Sequence, residues 1–300
     1  MPRRILGRTG ISVPVIGVGT WQYGGEWGRT FTQDEVDAIL DRAAERGMRF
    51  VDTAECYGDH LSERLIGDYL RRRNRADWII ATKFGHRFHG FMDRSWELDP
   101  NGVRRQLDAS LSALGVETID LYQFHSGSDE AFENPALWEM LRREQERGRI
   151  RALGISIRSA GSRLQTDRAA SVGAGALQVV YNRLTRGPET EVFPAARAQG
   201  LGVLARVPLA SGMLTGGYRP GHRFEGTDVR ATFDASDVQR KLVEAEKVRR
   251  EEIPEGVEPA AWALAWCLRD PVVTAVIPGC KSPAQVDSNA RAVEILSKMI

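Results

Sequence analysis

Cysteine is scarce in this 300-residue chain: only Cys56, Cys267 and Cys280 occur, with no C-x-x-C spacing. A disulfide framework is therefore not expected, and a reducing cytoplasm is the expected compartment. Charge of one sign is also missing. Lys and Arg number 41 against 40 for Asp and Glu, a net charge of +1. No bulk field draws such a chain to nucleic acid or to an anionic membrane, and neither is an expected partner. No apolar run reaches the roughly 18 residues that read as a membrane span. Two arginines near the start precede no apolar core, so no secretory signal is expected. No G-x-G-x-x-G follows a strand-like run, which argues against a Rossmann crevice. No G-x-S-x-G elbow marks a serine nucleophile.

What is present suits a globular enzyme. Apolar residues make up 42% and charged residues 27%. A chain of this size buries about three quarters of the surface it exposes when unfolded. Length and rhythm fit one α/β barrel spanning residues 1–300, with no composition break for a second domain. The cluster Arg71-Arg72-Arg73 with Arg75 ends a helical pattern, where cations complement the helix dipole. Nothing in the sequence sets an oligomeric state.

Strand-like and helix-like patterns alternate. Eight strands are expected: Val15–Gly19, Arg49–Asp52, Trp78–Lys83, Ile119–His125, Ile150–Ser156, Ala176–Tyr181, Gly202–Val207 and Val272–Pro278. A small hairpin over residues 3–15 is expected to plug the barrel floor. Thr32-Gln33-Asp34-Glu35 is a capping box before Val36, Ile39, Leu40 and Ala43 at helical spacing. Asp99-Pro100 opens a helix whose inner stripe is Leu107, Leu111 and Leu114. Trp262 and Trp266 read as core packing. The stretch from Ala210 to about Asp234, rich in Gly and Arg, is expected to be a long functional or mobile loop after strand seven.

In a closed parallel barrel the C-terminal strand ends share one rim. Asp52, Lys83 and His125 end three of the expected strands, and Tyr57 follows the first of them. A phenol, with a pKa of about 10, is protonated at neutral pH and can donate. An ammonium at Lys83 would stabilise the phenolate left behind. Asp52 would hold that ammonium charged. His125 suits a hydrogen bond to a carbonyl oxygen, or a proton relay. A lone histidine and scattered acids lack metal-ligand spacing, so no metal is expected. Taken singly, each residue has a plainer reading: a helix cap, a packing phenol, a solvated strand end, a core histidine. Lys83 could also form an imine, as in a barrel lyase.

The order of short motifs resembles the aldo-keto reductases along nearly the whole chain. They are Asp52-Thr53-Ala54 with Tyr57-Gly58, Thr82-Lys83, Gln123-Phe124-His125, Gly154-Ile155-Ser156, Gln178 with Tyr181-Asn182, Pro208-Leu209-Ala210-Ser211-Gly212 with Leu214-Thr215-Gly216, and Ile277-Pro278-Gly279. The resemblance implies a (β/α)8 TIM barrel that reduces small-molecule aldehydes or ketones with a nicotinamide dinucleotide. It implies Asp52, Tyr57, Lys83 and His125 as the catalytic set. It places Gly19, Thr20, Trp21 and Asp52 at the nicotinamide ribose, and Ser156 and Gln178 at the carboxamide. Leu209, Ser211 and Leu214 would follow the pyrophosphate, with the long loop as a strap. Gly279, Cys280, Lys281 and Ser282 would meet the adenine end, with Gln285 and Asn289 reaching the adenosine. Ser282-Pro283-Ala284-Gln285 reads as a capping box, and a helix N-terminus favours phosphate.

Three positions depart from the family. Ile157 stands where Asn is frequent, Arg206 where a Tyr often stacks on the nicotinamide, and Gln285 where many members have Arg. A guanidinium can stack on a ring in place of the Tyr. Lys281 and Ser282 favour NADPH/NADP+ over NADH. Some relatives serve ion channels, so a cofactor-binding regulatory subunit is the alternative from another class. Trp21, Tyr23, Trp27, Phe84, Phe88 and Trp96 are candidate linings of an aromatic substrate pocket.

Overall fold

A computed structural model describes residues 1–159 and 161–299. Its strands are β1 (Arg3–Ile5), β2 (Ser12–Pro14), β3 (Val18–Gly19), β4 (Phe50–Asp52), β5 (Ile79–Phe84), β6 (His86–Gly90), β7 (Asp93–Trp96), β8 (Ile119–His125), β9 (Ile150–Ser156), β10 (Ala174–Val180), β11 (Gly202–Arg206) and β12 (Val273–Val276). Eight of them form one parallel sheet in the order β12-β11-β10-β9-β8-β5-β4-β3. Parallel bridges Ile16–Val276 and Gly19–Gly279 join its first and last members. The sheet curls into the expected α/β barrel.

Local chemistry explains the helices between the strands. Thr32 and Glu35 exchange both bonds of the expected capping box ahead of the helix Gln33–Glu45. Asp99 accepts from Gly102 N–H, and Pro100 starts the helix Pro100–Leu114. Leu107 and Leu114 are buried there, while Leu111 is half-buried against the core. Trp262 and Trp266 are core residues, as expected. Arg71, Arg72, Arg73 and Arg75 pair with Asp68, Asp37, Asp41 and Asp120. No helix among the described residues is long and apolar enough to cross a membrane.

The β1–β2 hairpin closes the barrel floor. Leu6, Ile11 and Val13 meet a ring of inward residues from the strands: Phe50, Ala81, Leu121, Ala152, Ala176, Leu204 and Ala275. The approach is close enough that a Cβ on Gly7 would lie 2.0 Å from Gly202 N. The floor is therefore dry and filled, and the opposite rim is left for the site.

Two features depart from the sequence reading. The residues after β5 pair as an antiparallel hairpin, β6 with β7. None of their residues is fully buried, and Phe88 and Trp96 stand singly among polar residues, so no apolar period announces strands. The long loop after β11 is held down. It forms short 3-10 turns at Ala210–Thr215 and Val229–Thr232. Val229 N–H donates to Glu26 O (2.9 Å) and Gly28 N–H to Thr227 O (3.2 Å). Arg230 is buried, paired with Asp228 (2.7 Å), and lies 3.9 Å from the Phe224 ring centroid.

Helix packing around the barrel gives a stability test. A Cβ on Gly67, in the helix Leu61–Arg71, would lie 2.2 Å from Ala113 O of the neighbouring helix. The backbone cannot yield as a side chain can. Gly67→Ala is expected to destabilise the fold by about 1–3 kcal/mol, the range for overpacking, read by denaturant unfolding. An unchanged midpoint would mean that the two helices slide apart at no cost.

Candidate active site

Register brings the site together. Asp52 ends β4, Lys83 pairs with Gln123 across β5 and β8, and Gln178 pairs with Ser156 across β10 and β9. Lys83 is fully buried, and its ammonium finds an acceptor for each of its three N–H groups. They are Asp52 Oδ1 (2.6 Å), Thr53 O (2.7 Å) and Tyr57 Oη (3.2 Å). Asp52 Oδ2 accepts from Gln123 Nε2 (3.0 Å) and Gln178 Nε2 (2.7 Å). Gln178 gives its second N–H to Gln123 Oε1 (3.0 Å).

Burial alone would lower the Lys83 pKa, but Asp52 and the phenol outweigh it and hold the ammonium well above its ordinary value. For Tyr57 the balance differs from the sequence reading. Burial raises the phenol pKa more than Lys83 lowers it, and Asp52 raises it further. The phenol therefore stays protonated throughout the neutral range. An ammonium has no acceptor, so Tyr57 Oη must accept from Lys83, which leaves its own proton free to donate. Burial also drives the His125 pKa well below 6.5, helped by His86, Lys83, Arg206 and Arg94. A neutral imidazole has one N–H and one acceptor. Cys56 Sγ lies 3.8 Å from His125 Nδ1.

These side chains stand at one end of a cavity of about 730 Å³. Asp52, Tyr57 and His125 line it, as do Gly19, Thr20, Trp21, Gln178, Arg206, Leu209, Ser211, Gly279, Lys281, Gln285 and Asn289. The Trp21 ring stacks on Tyr57 at 6.1 Å and 22°.

A sequence profile decides the family. The Aldo/keto reductase family profile matches residues 15–299. The chain belongs to the aldo/keto reductase family. It is 32% identical to "Uncharacterized oxidoreductase YrpG" of Bacillus subtilis, over 97% of this chain and 90% of that protein. It is 29% identical to "Aldo-keto reductase yakc [NADP(+)]" of Schizosaccharomyces pombe, over 98% and 87%. Among solved structures it is similar to aldo-keto reductase AKR11C1 from Bacillus halodurans (holo form), with a TM-score of 0.81, 29% identity and coverage of 98% and 91%. It is also similar to glycerol dehydrogenase AKR11B4 from Gluconobacter oxydans, with a TM-score of 0.83, 27% identity and coverage of 99% and 93%. Membership implies oxidoreduction of carbonyls with a nicotinamide dinucleotide, NAD(P)H.

Within this aldo/keto reductase, four of the expected cofactor residues do not line the cavity; one of them, Cys280, is fully buried. Ser156 is fully buried behind Gln178, whose Oε1 its hydroxyl meets at 3.4 Å. Leu214 packs into the core. Ser282 caps the helix Pro283–Ala290 from outside the lining, accepting from Gln285 N–H. The expected reciprocal bond is displaced by one residue: Gln285 Oε1 takes Lys281 N–H (2.8 Å). Tyr23 and Phe84 are fully buried and leave the list of pocket aromatics. Trp21 and Trp27 line the cavity; Trp96 is exposed and packs on His86 at 4.7 Å. Phe88 is half-buried on the hairpin beside Arg94.

Arg206 lies where its Nη2 donates to Ile157 O (3.1 Å). Its Nε is buried without a partner. Sequence reasoning missed Gln123, Glu26, Arg94, Arg230 and Glu258. Glu26, buried, accepts from Trp21 Nε1 (2.7 Å), Arg94 Nη2 (2.5 Å) and Met92 N–H (3.1 Å). Gln123 stood in a motif that resembled the family, which was the one signal available for it.

The Asp52–Lys83 pair sets a stability test. Asp52→Asn leaves a buried ammonium without its counter-charge, a loss of about 3–5 kcal/mol at neutral pH. Because the folded pKa of Lys83 is raised, its contribution is complete below the ordinary lysine pKa of about 10.4 and is lost as pH climbs through the folded value. The gap between wild type and variant should therefore narrow above about pH 10. Unfolding curves across that range measure it, and a gap independent of pH would contradict the pairing.

Proposed function

We propose that the chain reduces aldehyde or ketone carbonyls of small molecules to alcohols with NADPH, with Tyr57 as the general acid. One observation carries this reading. A protonated phenol, free to donate, sits on a buried ammonium at the end of a cavity that continues to Lys281 and Gln285.

The residues fit a nicotinamide dinucleotide. The cavity lining takes in both Tyr57 and His125 at the catalytic end and Ser211, Lys281 and Gln285 from the segments expected to meet the pyrophosphate and adenosine. The unpartnered Nε of Arg206, beside Ile157, suits the carboxamide or the face of the nicotinamide ring. Gln178 has both N–H groups engaged and acts chiefly to hold Asp52. Ser211, Leu209 and the strap through Arg230 would border the pyrophosphate, since Arg230 Nη1 also donates to Ser211 O (3.0 Å). Lys281, 5.2 Å from the Trp27 ring centroid, would meet the 2′-phosphate. Glu258 lines the same end, but Arg291 (3.1 Å) and Ser288 already hold its carboxylate.

NADPH, when bound, supplies the hydride for the carbonyl carbon. Tyr57 gives its proton to the carbonyl oxygen. Lys83 stabilises the phenolate as it forms, and Asp52 keeps Lys83 charged and in place. Neutral His125 orients the oxygen by donating its one N–H. The same geometry argues against a Lys83 imine, because a buried ammonium with three acceptors is a poor nucleophile.

Tyr57→Phe should lower carbonyl reduction by at least about 100-fold, within the usual range for a general acid, while NADPH binding stays near wild type. NADPH oxidation against a panel of aldehydes and ketones measures the first, and fluorescence titration the second. Wild-type turnover in that variant would refute the acid assignment. A wild-type chain that binds NADPH and turns over no carbonyl would point to a regulatory subunit.

Lys281→Ala should weaken NADPH by about tenfold, the loss of one partly exposed charge-assisted contact, and leave NADH almost unchanged. Equal losses for the two cofactors would remove Lys281 from the 2′-phosphate.

A further inference from the structure

Beside His125, which the proposed reduction uses, stand three side chains that it does not: Glu55 and Cys56 after β4, and His86 at the start of β6. Glu55, Cys56, His86 and His125 each place one ligating atom so that all four lie within 4.8 Å of one another. Cys56 Sγ is 3.8 Å from His125 Nδ1, and Glu55 Oε1 is 3.8 Å from His86 Nδ1. A tetrahedral zinc ion, with bonds of about 2.0–2.3 Å, sets its ligands about 3.3–3.8 Å apart. The four atoms therefore need to close by less than about 1.5 Å to share one ion.

A second observation points to a missing occupant. Glu55 is 3% exposed, yet its Oε2 has no hydrogen-bond partner, and neither does His86 Nδ1. Its other oxygen accepts from His86 N–H (2.9 Å). Leaving a buried polar atom unpaired costs about 1–3 kcal/mol, and one cation would satisfy both. Access is available, because Cys56, His86 and His125 line the cavity and Glu55 lies behind them. Charge balances as well. A Cys56 thiolate and a Glu55 carboxylate neutralise a divalent ion, while the nearby cations Lys83 and Arg94 are already paired with Asp52 and Glu26. One thiolate, two imidazoles and one carboxylate select a borderline-soft metal such as zinc over magnesium or calcium.

We propose that Glu55, Cys56, His86 and His125 form a closed zinc-type site whose occupancy shuts off carbonyl reduction. The ion replaces the thiol and carboxyl protons, which pass to the buffer. It holds His125, which orients the substrate oxygen, by Nδ1 and ties it to His86 of the β6–β7 hairpin. With four protein ligands it has no open position, so it blocks the centre without activating water. The inhibition rests on the reductase reading; the coordination does not.

The test uses the full chain, freed of metal with a chelator and titrated with Co2+. Tetrahedral binding should give intense visible bands and a thiolate-to-cobalt charge-transfer band in the near ultraviolet. Cys56→Ser should abolish the charge-transfer band and weaken Zn2+ by at least about 100-fold, since losing even an outer partner of a ligand costs roughly 10- to 100-fold. Glu55→Gln should keep the thiolate band with weaker affinity, which guards against a folding defect in the first variant; far-ultraviolet circular dichroism checks both. Zn2+ should inhibit aldehyde reduction by the wild type reversibly, and the residual reduction of Cys56→Ser should no longer respond. A weak octahedral cobalt spectrum without a thiolate band, or equal Zn2+ affinity in wild type and Cys56→Ser, would overturn the site. The cobalt signature without inhibition of an active enzyme would overturn its regulatory role. The same signature in a chain that reduces no carbonyl would leave the site standing and count against the reductase reading.

Discussion

The rest of the site depends on the buried pair between the Lys83 ammonium and the Asp52 carboxylate. Removing two ions from water costs several kcal/mol each, and such a pair holds only when its remaining hydrogen bonds are met. Here they are met by residues from four strands: Asp52 at the end of β4 with Thr53 next to it, Lys83 on β5, Gln123 on β8 and Gln178 on β10. Side chains alternate between the faces of a strand, so a one-residue slip in any of these registers would turn a partner away from the rim. The pair thus needs the barrel to be closed in one register. The filled floor of Leu6, Ile11, Val13 and Phe50 makes that register the one that also buries the apolar face.

The phenol draws a specific benefit from this arrangement. Its raised pKa means that Lys83 does not make Tyr57 acidic at rest. Much of the ammonium's field is spent on Asp52. What remains acts when negative charge grows on the phenol oxygen, because the N–H is already aimed there at 3.2 Å. Stabilisation that increases toward the transition state lowers the barrier, whereas ionising the acid beforehand would remove the proton to be given. Burial and the ammonium are therefore complementary: one keeps the proton on, the other eases its departure.

The strands β8 and β9 run over the residues expected from sequence, Ile119–His125 and Ile150–Ser156, because long apolar runs in a parallel sheet leave little ambiguity. Asp52, Tyr57, Lys83 and His125 were legible for the same reason, since strand ends in a barrel share one rim. The hairpin β6–β7 was not legible. Its short strands carry only Phe88 and Trp96 among polar residues and lie against the rim, so their pairing is set by contacts such as His86 with Trp96 and Arg94 with Glu26, which local periodicity does not encode. Ser156 and Leu214 were assigned to the cofactor by resemblance, and their side chains turn inward instead. Order in the long loop comes from Arg230, whose neighbours Asp228, Tyr218 and Phe224 are spread over a Gly-rich stretch without a period.

Glu26 links the two segments that frame the cavity. Its backbone carbonyl holds Val229 of the strap, and its carboxylate holds Arg94 and Met92 of the hairpin region together with the Trp21 indole. Trp21 in turn stacks on Tyr57. A carboxylate this buried tolerates no movement that leaves Arg94 or the indole unpaired. Strap, hairpin and the indole on the phenol are accordingly tied to one charge, so opening one end of the cavity weakens the packing around the proton donor at the other.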